Sequence, residues 1–345
     1  VAETPSAALG SSRDKPDAQY CEKILAAFAE RNVRSFFYIG GNDSADTCRL
    51  VAELARARSY PLETFHVPKT IDNDLVGSDH TPGFPSAARF VACAFMGDNL
   101  DNRALPGVKI NVVMGRHAGF LTAASVLARP HPGDGPHLIY VPERVFDLDS
   151  FVSEVRRVHG DLGRCLVAVS EGVHTRDGTP MVTVLAKSLA QDAHGNVQLS
   201  GTGALGDFLA EAVKKALGKK TRVRADTFGY LQRSFPDCVS AVDAAEAREV
   251  GRVAVACAAA GEPSGSIAIQ RQPGPNYAPR YLRLPLSEVA AKTRVLAEEY
   301  LAGAHDVSEA FVRYLQPLVG ELPVVARLYP GLKADPKNAI HRGDR

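Results

Sequence analysis

Short apolar segments alternate with amphipathic helical patterns along most of this 345-residue chain. The apolar segments, which are rich in β-branched and aromatic residues, are candidate strands at 36–39, 65–67, 110–113, 138–141, 166–169 and 266–269. Helical patterns occupy intervals between them, at 46–58, 85–98, 119–128, 150–159, 206–217 and 241–260. Strands separated by helices form βαβ units, whose strands run parallel. The sequence therefore predicts an α/β fold with mainly parallel sheets.

Length and composition are those of a globular protein of two domains. Hydrophobic residues make up 45% and charged residues 23% of the chain, which are ordinary values. The net charge of +1 and the scattered basic residues argue against nucleic-acid binding. No apolar run approaches the roughly 18 residues of a membrane span, and the N-terminus lacks a signal-peptide pattern. The six cysteines form no C-x-x-C pair, so we expect no zinc site and a reducing, cytoplasmic location.

A cluster of polar residues directly follows the second candidate strand, in the run Val-Pro-Lys-Thr-Ile-Asp-Asn-Asp at 67–74. Asp72 and Asp74 lie two residues apart, close to Lys69 and Thr70. The carboxyl ends of parallel strands form the edge at which α/β proteins bind ligands. Two neighbouring carboxylates require a cation or a shared proton, which suits phosphoryl transfer. The alternative is an Asx-rich surface turn without catalytic function.

Other glycine-rich or charged motifs follow further candidate strands. The strand at 36–39 leads into Gly-Gly-Asn-Asp-Ser at 40–44 and then into a helix, an arrangement that can bind phosphate through backbone N–H groups. This turn is neither a P-loop nor a dinucleotide fingerprint. Three further motifs are Met-Gly-Arg at 114–116, Ser-Glu-Gly at 170–172 and Gly-Tyr-Leu-Gln-Arg at 229–233.

Together these motifs resemble the phosphofructokinase family, in its order and at nearly its spacing, from about position 9 to the C-terminal region. The resemblance is to the diphosphate-dependent branch, whose members phosphorylate the 1-hydroxyl of fructose 6-phosphate from diphosphate in glycolysis and gluconeogenesis. It implies two Rossmann-like domains that face each other across a cleft. The phosphoryl-donor domain would contain 1–83 and 232–283, and the fructose-6-phosphate domain 84–231 and 284–345. It also implies Mg²⁺ as cofactor and a homodimer or homotetramer.

The resemblance assigns the catalytic residues. Asp72 would accept the proton of the sugar hydroxyl, for which a carboxylate within hydrogen-bond reach suffices. Thr70 and Asp74 would orient the sugar or the metal. Arg116 would lie near the phosphoryl or sugar oxygens, and Lys69 near the diphosphate.

Another group of residues would bind the phosphoryl donor. ATP-using relatives have glycine at the positions of Asp43 and Lys69, which leaves room for a nucleotide α-phosphate. Here an aspartate obstructs that space, and a lysine offers an ammonium group to diphosphate, so both residues favour diphosphate. Gly41 and Asn42 belong to the same turn, and Arg13 resembles an arginine that reaches the transferring phosphate.

A further group would bind the sugar phosphate. Met114, Gly115, Arg116 and Glu171 resemble residues that contact the sugar. Tyr230 and Arg233 resemble the pair that holds the 6-phosphate, for which a planar guanidinium is suited. Arg224 and Lys109 resemble basic residues that cross the subunit interface to the neighbour's 6-phosphate.

The chain departs from the family pattern at two places. Asn42 occupies a position at which the family commonly has a magnesium-binding aspartate, so the metal ligands, Asn42 and Asp74 among them, stay open. The family's first strand and Gly-Gly turn are absent before position 9, so we expect either a fragment of a longer protein or an incomplete enzyme. Two alternatives therefore remain: an ATP-dependent 6-phosphofructokinase, and a truncated, non-catalytic chain that binds sugar phosphate or regulates a partner.

Overall fold

A computed structural model describes residues 7–12, 14, 16–189, 203–274 and 276–327. Its strands, numbered in chain order, are β1 (Ser35–Gly40), β2 (Glu63–Pro68), β3 (Val108–Val113), β4 (Leu138–Tyr140), β5 (Cys165–Ser170), β6 (Val223–Thr227), β7 (Gly265–Arg271), β8 (Pro279–Leu284), β9 (Leu301–Ala302) and β10 (Asp306–Val307). The first main sheet has the order β1-β2-β7-β8, and the second has the order β4-β5-β3-β6. All neighbouring strands in these sheets are parallel except β7 and β8. The predicted α/β fold with mainly parallel sheets is confirmed.

Helices connect these strands. The α-helices are α1 (Ala18–Glu30), α2 (Asn42–Ala57), α3 (Phe84–Ala104), α4 (Phe120–Ala124), α5 (Leu148–Leu162), α6 (Met181–Leu189), α7 (Ala204–Leu217), α8 (Ala241–Ala259), α9 (Leu286–Val289) and α10 (Glu309–Val319). Short 3₁₀ helices cover Ser125–Ala128, Gly229–Arg233 and Glu298–Tyr300. Within the described ranges, no helix combines the length and apolarity needed to cross a bilayer.

Every predicted strand and helix is present, but several elements were not predicted. The helix expected at 119–128 is a short α-helix, α4, that continues as a 3₁₀ helix. The edge strand β6 was missed because its sequence, Val-Arg-Ala-Asp-Thr, alternates apolar and polar residues and lacks the apolar run of a buried strand. The antiparallel strand β8 and the helices α1, α6 and α10 were missed as well.

Helices cover both faces of the second sheet. Strand β5 is buried at every position, as expected for a strand covered on both sides. Its side chains alternate between two cores: Leu166 packs in the cluster that contains Phe84 and Phe311, and Val167 in the cluster that contains Phe151. The first cluster includes residues of α3, α4 and α10, and the second includes residues of α5 and α7. This packing fixes the second sheet, and with it the loops at its carboxyl edge.

The chain passes from the first sheet to the second and back. The first sheet takes two strands from before position 69 and two from after position 264, whereas all strands of the second sheet come from 108–227. The domain boundaries given above stay a prediction.

Candidate active site

The first two motifs lie side by side at the carboxyl edge of the first sheet. Strands β1 and β2 pair in a register that sets Gly40 opposite Pro68, so the two loops that follow begin together. A Cβ atom built on Gly41 would lie 3.5 Å from Cβ of Thr70, which is ordinary van der Waals contact and shows how close the two loops are. Asn42 begins helix α2, and its Nδ2 donates a hydrogen bond to Oδ2 of Asp74 at 2.7 Å. The fold therefore unites the glycine turn and the acidic run.

Asp72 and Asp74 form a carboxylate pair that is largely removed from solvent. Burial, together with the charge of Asp72, raises the pKa of Asp74 to about 6. Burial also raises the pKa of Asp72, while the charges of nearby cations oppose this shift. Oδ1 of Asp72 is buried and has no hydrogen-bond partner among the described residues. This oxygen is thus available to accept a proton or a hydrogen bond from a ligand.

The loop that carries the pair has a defined conformation. Oγ1 of Thr70 accepts a hydrogen bond from the backbone N–H of Asp72 at 3.1 Å. Asn73 is fully buried with φ of 60°, a left-handed conformation that asparagine tolerates better than most residues. Its Nδ2 donates to the hydroxyl of Tyr314 on α10 at 2.9 Å. The buried asparagine therefore anchors the loop between its two aspartates.

The Met-Gly-Arg motif follows β3 at the carboxyl edge of the second sheet. Gly115 has φ of 134°, and a Cβ atom there would lie 2.6 Å from the carbonyl oxygen of Ala118, so a side chain is excluded. The hydroxyl of Ser170, at the end of β5, donates to the carbonyl of Gly115 at 2.6 Å. Nε of Arg116 lies 3.7 Å from Oε1 of Glu171. The sheet thus brings the predicted sugar-binding residues together.

Tyr230 and Arg233 lie on the 3₁₀ helix that follows β6. The guanidinium of Arg233 stacks over the Tyr230 ring at 4.7 Å, and both side chains are exposed. The charge of Arg233 acts to lower the pKa of both Asp72 and Glu171, which places it within electrostatic reach of each. The edges of the two sheets therefore meet around Asp72.

The other predicted site residues lie at the surface, on the paired strands β3 and β6 or outside the described part of the chain. Asp43, in the first turn of α2, and Lys69 are both exposed, and the positive charge of Lys69 acts on Asp72. Arg224 is exposed on the edge strand β6 and pairs in register with Lys109 of β3. Nζ of Lys109 contacts the carboxylate of Asp226 and lies 3.7 Å from Asp98. Arg13 lies outside the described residues.

Sequence reasoning missed two residues of this site. His117 lies within electrostatic reach of both Asp72 and Asp74, although spacing alone suggested no role for any histidine. Its position directly after the Met-Gly-Arg motif is the signal that could have identified it. Oε1 of Gln232 accepts a hydrogen bond from the backbone N–H of Met114 at 3.4 Å and so links the 3₁₀ helix to that motif.

Residues 42 and 74 carry the kinds of side-chain oxygen that bind magnesium. Because the amide nitrogen of Asn42 donates to Asp74, its Oδ1 faces away, and this oxygen is buried without a partner in the described part of the chain. One carboxylate and one amide oxygen match the few protein ligands that Mg²⁺ takes when substrate phosphates and water complete its coordination. Among the described residues, no three or more His, Cys, Asp or Glu side chains are arranged so that they could hold a metal ion by themselves.

Comparisons with known proteins agree with this architecture. The phosphofructokinase family model matches residues 1–258, and the chain belongs to the phosphofructokinase family. It is 58% identical over 330 residues to a pyrophosphate–fructose 6-phosphate 1-phosphotransferase of Rhodospirillum rubrum, covering 95% of this chain and 81% of the relative. A sulfofructose kinase of Alkalicoccus urumqiensis is 33% identical, with 95% and 82% covered. The crystal structure of a pyrophosphate-dependent phosphofructokinase from Marinobacter aquaeolei superimposes with a TM-score of 0.79 at 32% identity, covering 96% of this chain and 78% of that one.

Proposed function

We propose that the protein is a diphosphate–fructose-6-phosphate 1-phosphotransferase. The observation that carries this proposal is the environment of Asp72. A buried carboxylate oxygen without a partner in the described structure faces a site on which cations from both sheets act, among them Lys69, Arg116 and Arg233. A base surrounded by cations suits the transfer of a phosphoryl group to a hydroxyl. The similarity to the Rhodospirillum rubrum enzyme over 95% of the chain supports the same reaction.

The reaction follows from this arrangement. Asp72 accepts the proton of the 1-hydroxyl of fructose 6-phosphate, whose oxygen bonds to a phosphorus atom of diphosphate. The bridging P–O bond breaks, and orthophosphate leaves with the electron pair. Arg233 and Tyr230 hold the 6-phosphate, and Glu171 accepts hydrogen bonds from sugar hydroxyls. Arg116 and Lys69 offset negative charge on the transferring group and the leaving group.

Two further residues would bind the metal ion, and two would select the phosphoryl donor. Asn42 and Asp74 would hold Mg²⁺, which supplies charge neutralisation to the diphosphate oxygens when bound. Asp43 is exposed at the start of α2, where it places a negative charge against the additional phosphate of a nucleotide. Lys69 offers the compensating ammonium group. Diphosphate is therefore the donor that these residues favour.

Organisation and location are part of the proposal. The donor domain comprises 1–83 and 232–283, and the sugar-phosphate domain 84–231 and 284–345. Exposed Arg224 on an edge strand, together with exposed apolar side chains at 230, 231 and 235 further along the chain, supports a homodimer or homotetramer in which this arginine reaches a neighbouring site. All six cysteines are free thiols, which supports a cytoplasmic location.

A phosphotransfer assay with two donors tests the function. The purified chain is incubated with fructose 6-phosphate, Mg²⁺ and either diphosphate or ATP, and fructose 1,6-bisphosphate is measured. We expect turnover with diphosphate and little with ATP. Preference for ATP would contradict the donor assignment. Absence of turnover with both donors, despite binding of fructose 6-phosphate, would support a non-catalytic chain.

A further inference from the structure

A buried group of charged residues lies behind the loop that carries Asp72. His80, on the same loop, is 1% exposed and lies between two carboxylates. Its Nδ1 is 2.9 Å from Oδ2 of Asp79, and its Nε2 contacts Oε2 of Glu246 on α8. The hydroxyl of Tyr277 donates to the other oxygen of Glu246. Arg271 of β7 lies 3.1 Å from Asp79 and stacks over the Tyr277 ring at 4.8 Å.

The hydrogen-bond pattern indicates a protonated His80. An ionised carboxylate can only accept hydrogen bonds, and an imidazole donates from both nitrogens only when it carries a positive charge. Burial alone would lower the pKa of His80, but the hydrogen bonds and charges of Asp79 and Glu246 outweigh it and raise the pKa. An imidazolium and Arg271 then balance the two carboxylates. A neutral His80 would leave one buried negative charge without compensation.

The same segment is connected to the catalytic pair by further hydrogen bonds. The carbonyl of Asp79 accepts from the hydroxyl of Tyr314, the same hydroxyl that accepts from Asn73. Nη1 of Arg294 donates to the carbonyl of Asp79 at 2.6 Å, and the backbone N–H of Arg294 donates to the carbonyl of Asp74 at 2.8 Å. Asp79 is therefore connected through Tyr314 to the side chain of Asn73 and through Arg294 to the backbone of Asp74.

Helix α8 holds this segment at a second point. Asp243, one turn before Glu246, accepts hydrogen bonds from the backbone N–H groups of Gly83 at 2.7 Å and Ser86 at 3.1 Å, and so caps helix α3. His80 is thus faced by Asp79 from its own loop, by Glu246 and Asp243 from α8, and by Tyr277 and Arg271 from the β7–β8 hairpin.

We propose that His80 and Glu246 are positioning residues, which hold the loop of Asp72 and Asp74 in its reactive geometry from the side away from substrate. The proposal rests on the proposed phosphotransfer function. Neither residue is assigned to substrate. Tyr230 and Arg233, assigned to the 6-phosphate, lie on another segment, so loss of the His80–Glu246 contact affects the rate more than sugar binding.

Glu246→Gln tests this role because it keeps the size of the side chain and removes its charge. We expect kcat to fall about 10- to 100-fold, as for a catalytic group displaced by its supporting residues. The KM for fructose 6-phosphate should change less than about threefold. The alkaline limb of the pH–activity profile should shift to lower pH than in the parent, because His80 loses its proton more readily without this carboxylate. Glu249→Gln is the matched control, since it removes a half-buried carboxylate that pairs with Arg252 on the same helix and has no contact with His80 among the described hydrogen bonds and ion pairs.

A measurement on the unsubstituted protein covers the case in which Glu246→Gln does not fold. NMR of ¹⁵N-labelled imidazole should show both nitrogens of His80 protonated at pH 7. Amide exchange at residues 72–74 should accelerate as His80 deprotonates, beyond the intrinsic increase of about tenfold per pH unit expected for base catalysis. A neutral His80 at pH 7, or a folded Glu246→Gln enzyme with the kcat and pH profile of the control, would overturn the proposal. If the parent shows no turnover with diphosphate, only the proposed function fails, and the NMR and exchange results still decide the role of His80.

Discussion

Replacing Asp74 by asparagine should stabilise the ligand-free protein while it impairs phosphotransfer. The pKa of Asp74 is raised from 3.8 to about 6, mainly by burial and secondly by Asp72. A raised carboxylate pKa means that the charged form is disfavoured in the folded state, so this cost is present in full above pH 6. This shift corresponds to about 3 kcal/mol. Asparagine removes the charge, and its side-chain oxygen can still accept the hydrogen bond from Asn42.

The dependence on pH distinguishes this cause from better packing. As pH falls through 6, the folded protein protonates Asp74 while the unfolded chain remains ionised, so the advantage of the variant shrinks to about 1 kcal/mol at pH 4.5. Urea denaturation of the parent and the variant at pH 7.5 and at pH 4.5, without Mg²⁺ or diphosphate, measures the difference in unfolding free energy at each pH. Asp237→Asn is the control, because it removes a charge at an exposed position with φ of 64°, which asparagine also adopts. A variant that is less stable than the parent at pH 7.5, or equally stabilised at both pH values, would refute the reasoning.

Three further predictions concern catalysis and specificity. Asp72→Ala should lower kcat by about a hundred- to ten-thousand-fold while calorimetry still detects fructose 6-phosphate binding; a loss below about tenfold would exclude a role as base. Arg233→Ala should weaken fructose 6-phosphate about ten- to hundredfold and diphosphate much less, measured as separate KM values; equal effects on both would contradict the 6-phosphate assignment. Asp43→Gly should relax the exclusion of ATP, and Lys69→Gly should mainly raise the KM for diphosphate; if neither change occurs in two-donor assays, these residues do not set the donor.

The sequence predicted where the motifs that follow strands would lie, because the carboxyl ends of parallel strands share one edge of a sheet. Strands β1 and β2 both end in polar loops, so adjacency in one sheet brings Gly41 and Thr70 together. The contact between Asn42 and Asp74 could not be predicted in the same way. It depends on side-chain rotamers and on the left-handed conformation of Asn73, neither of which leaves a periodic pattern.

The buried charges behind the loop were beyond prediction for a different reason. His80 and Glu246 are 166 positions apart, and no motif spacing connects them. Helix α8 has a weak apolar pattern, so its sequence does not distinguish a buried glutamate from a solvent-exposed one. Only the fold reveals that Glu246 and Asp243 are buried against the loop, whereas Glu249 is half-buried and pairs with Arg252 on its own helix.

The strand-end motifs and the buried contacts behind them together suit the proposed role of the 69–83 loop toward both substrates. Its first half meets the donor motif through Asn42 and the cations of the second sheet through Asp72. Its second half closes on the first, because the hydroxyl of Thr81 donates to the carbonyl of Thr70. Substitutions in the first half should therefore change chemistry and donor choice directly. Substitutions of the buried residues behind the second half should change the rate through geometry, with the affinity for sugar phosphate largely preserved.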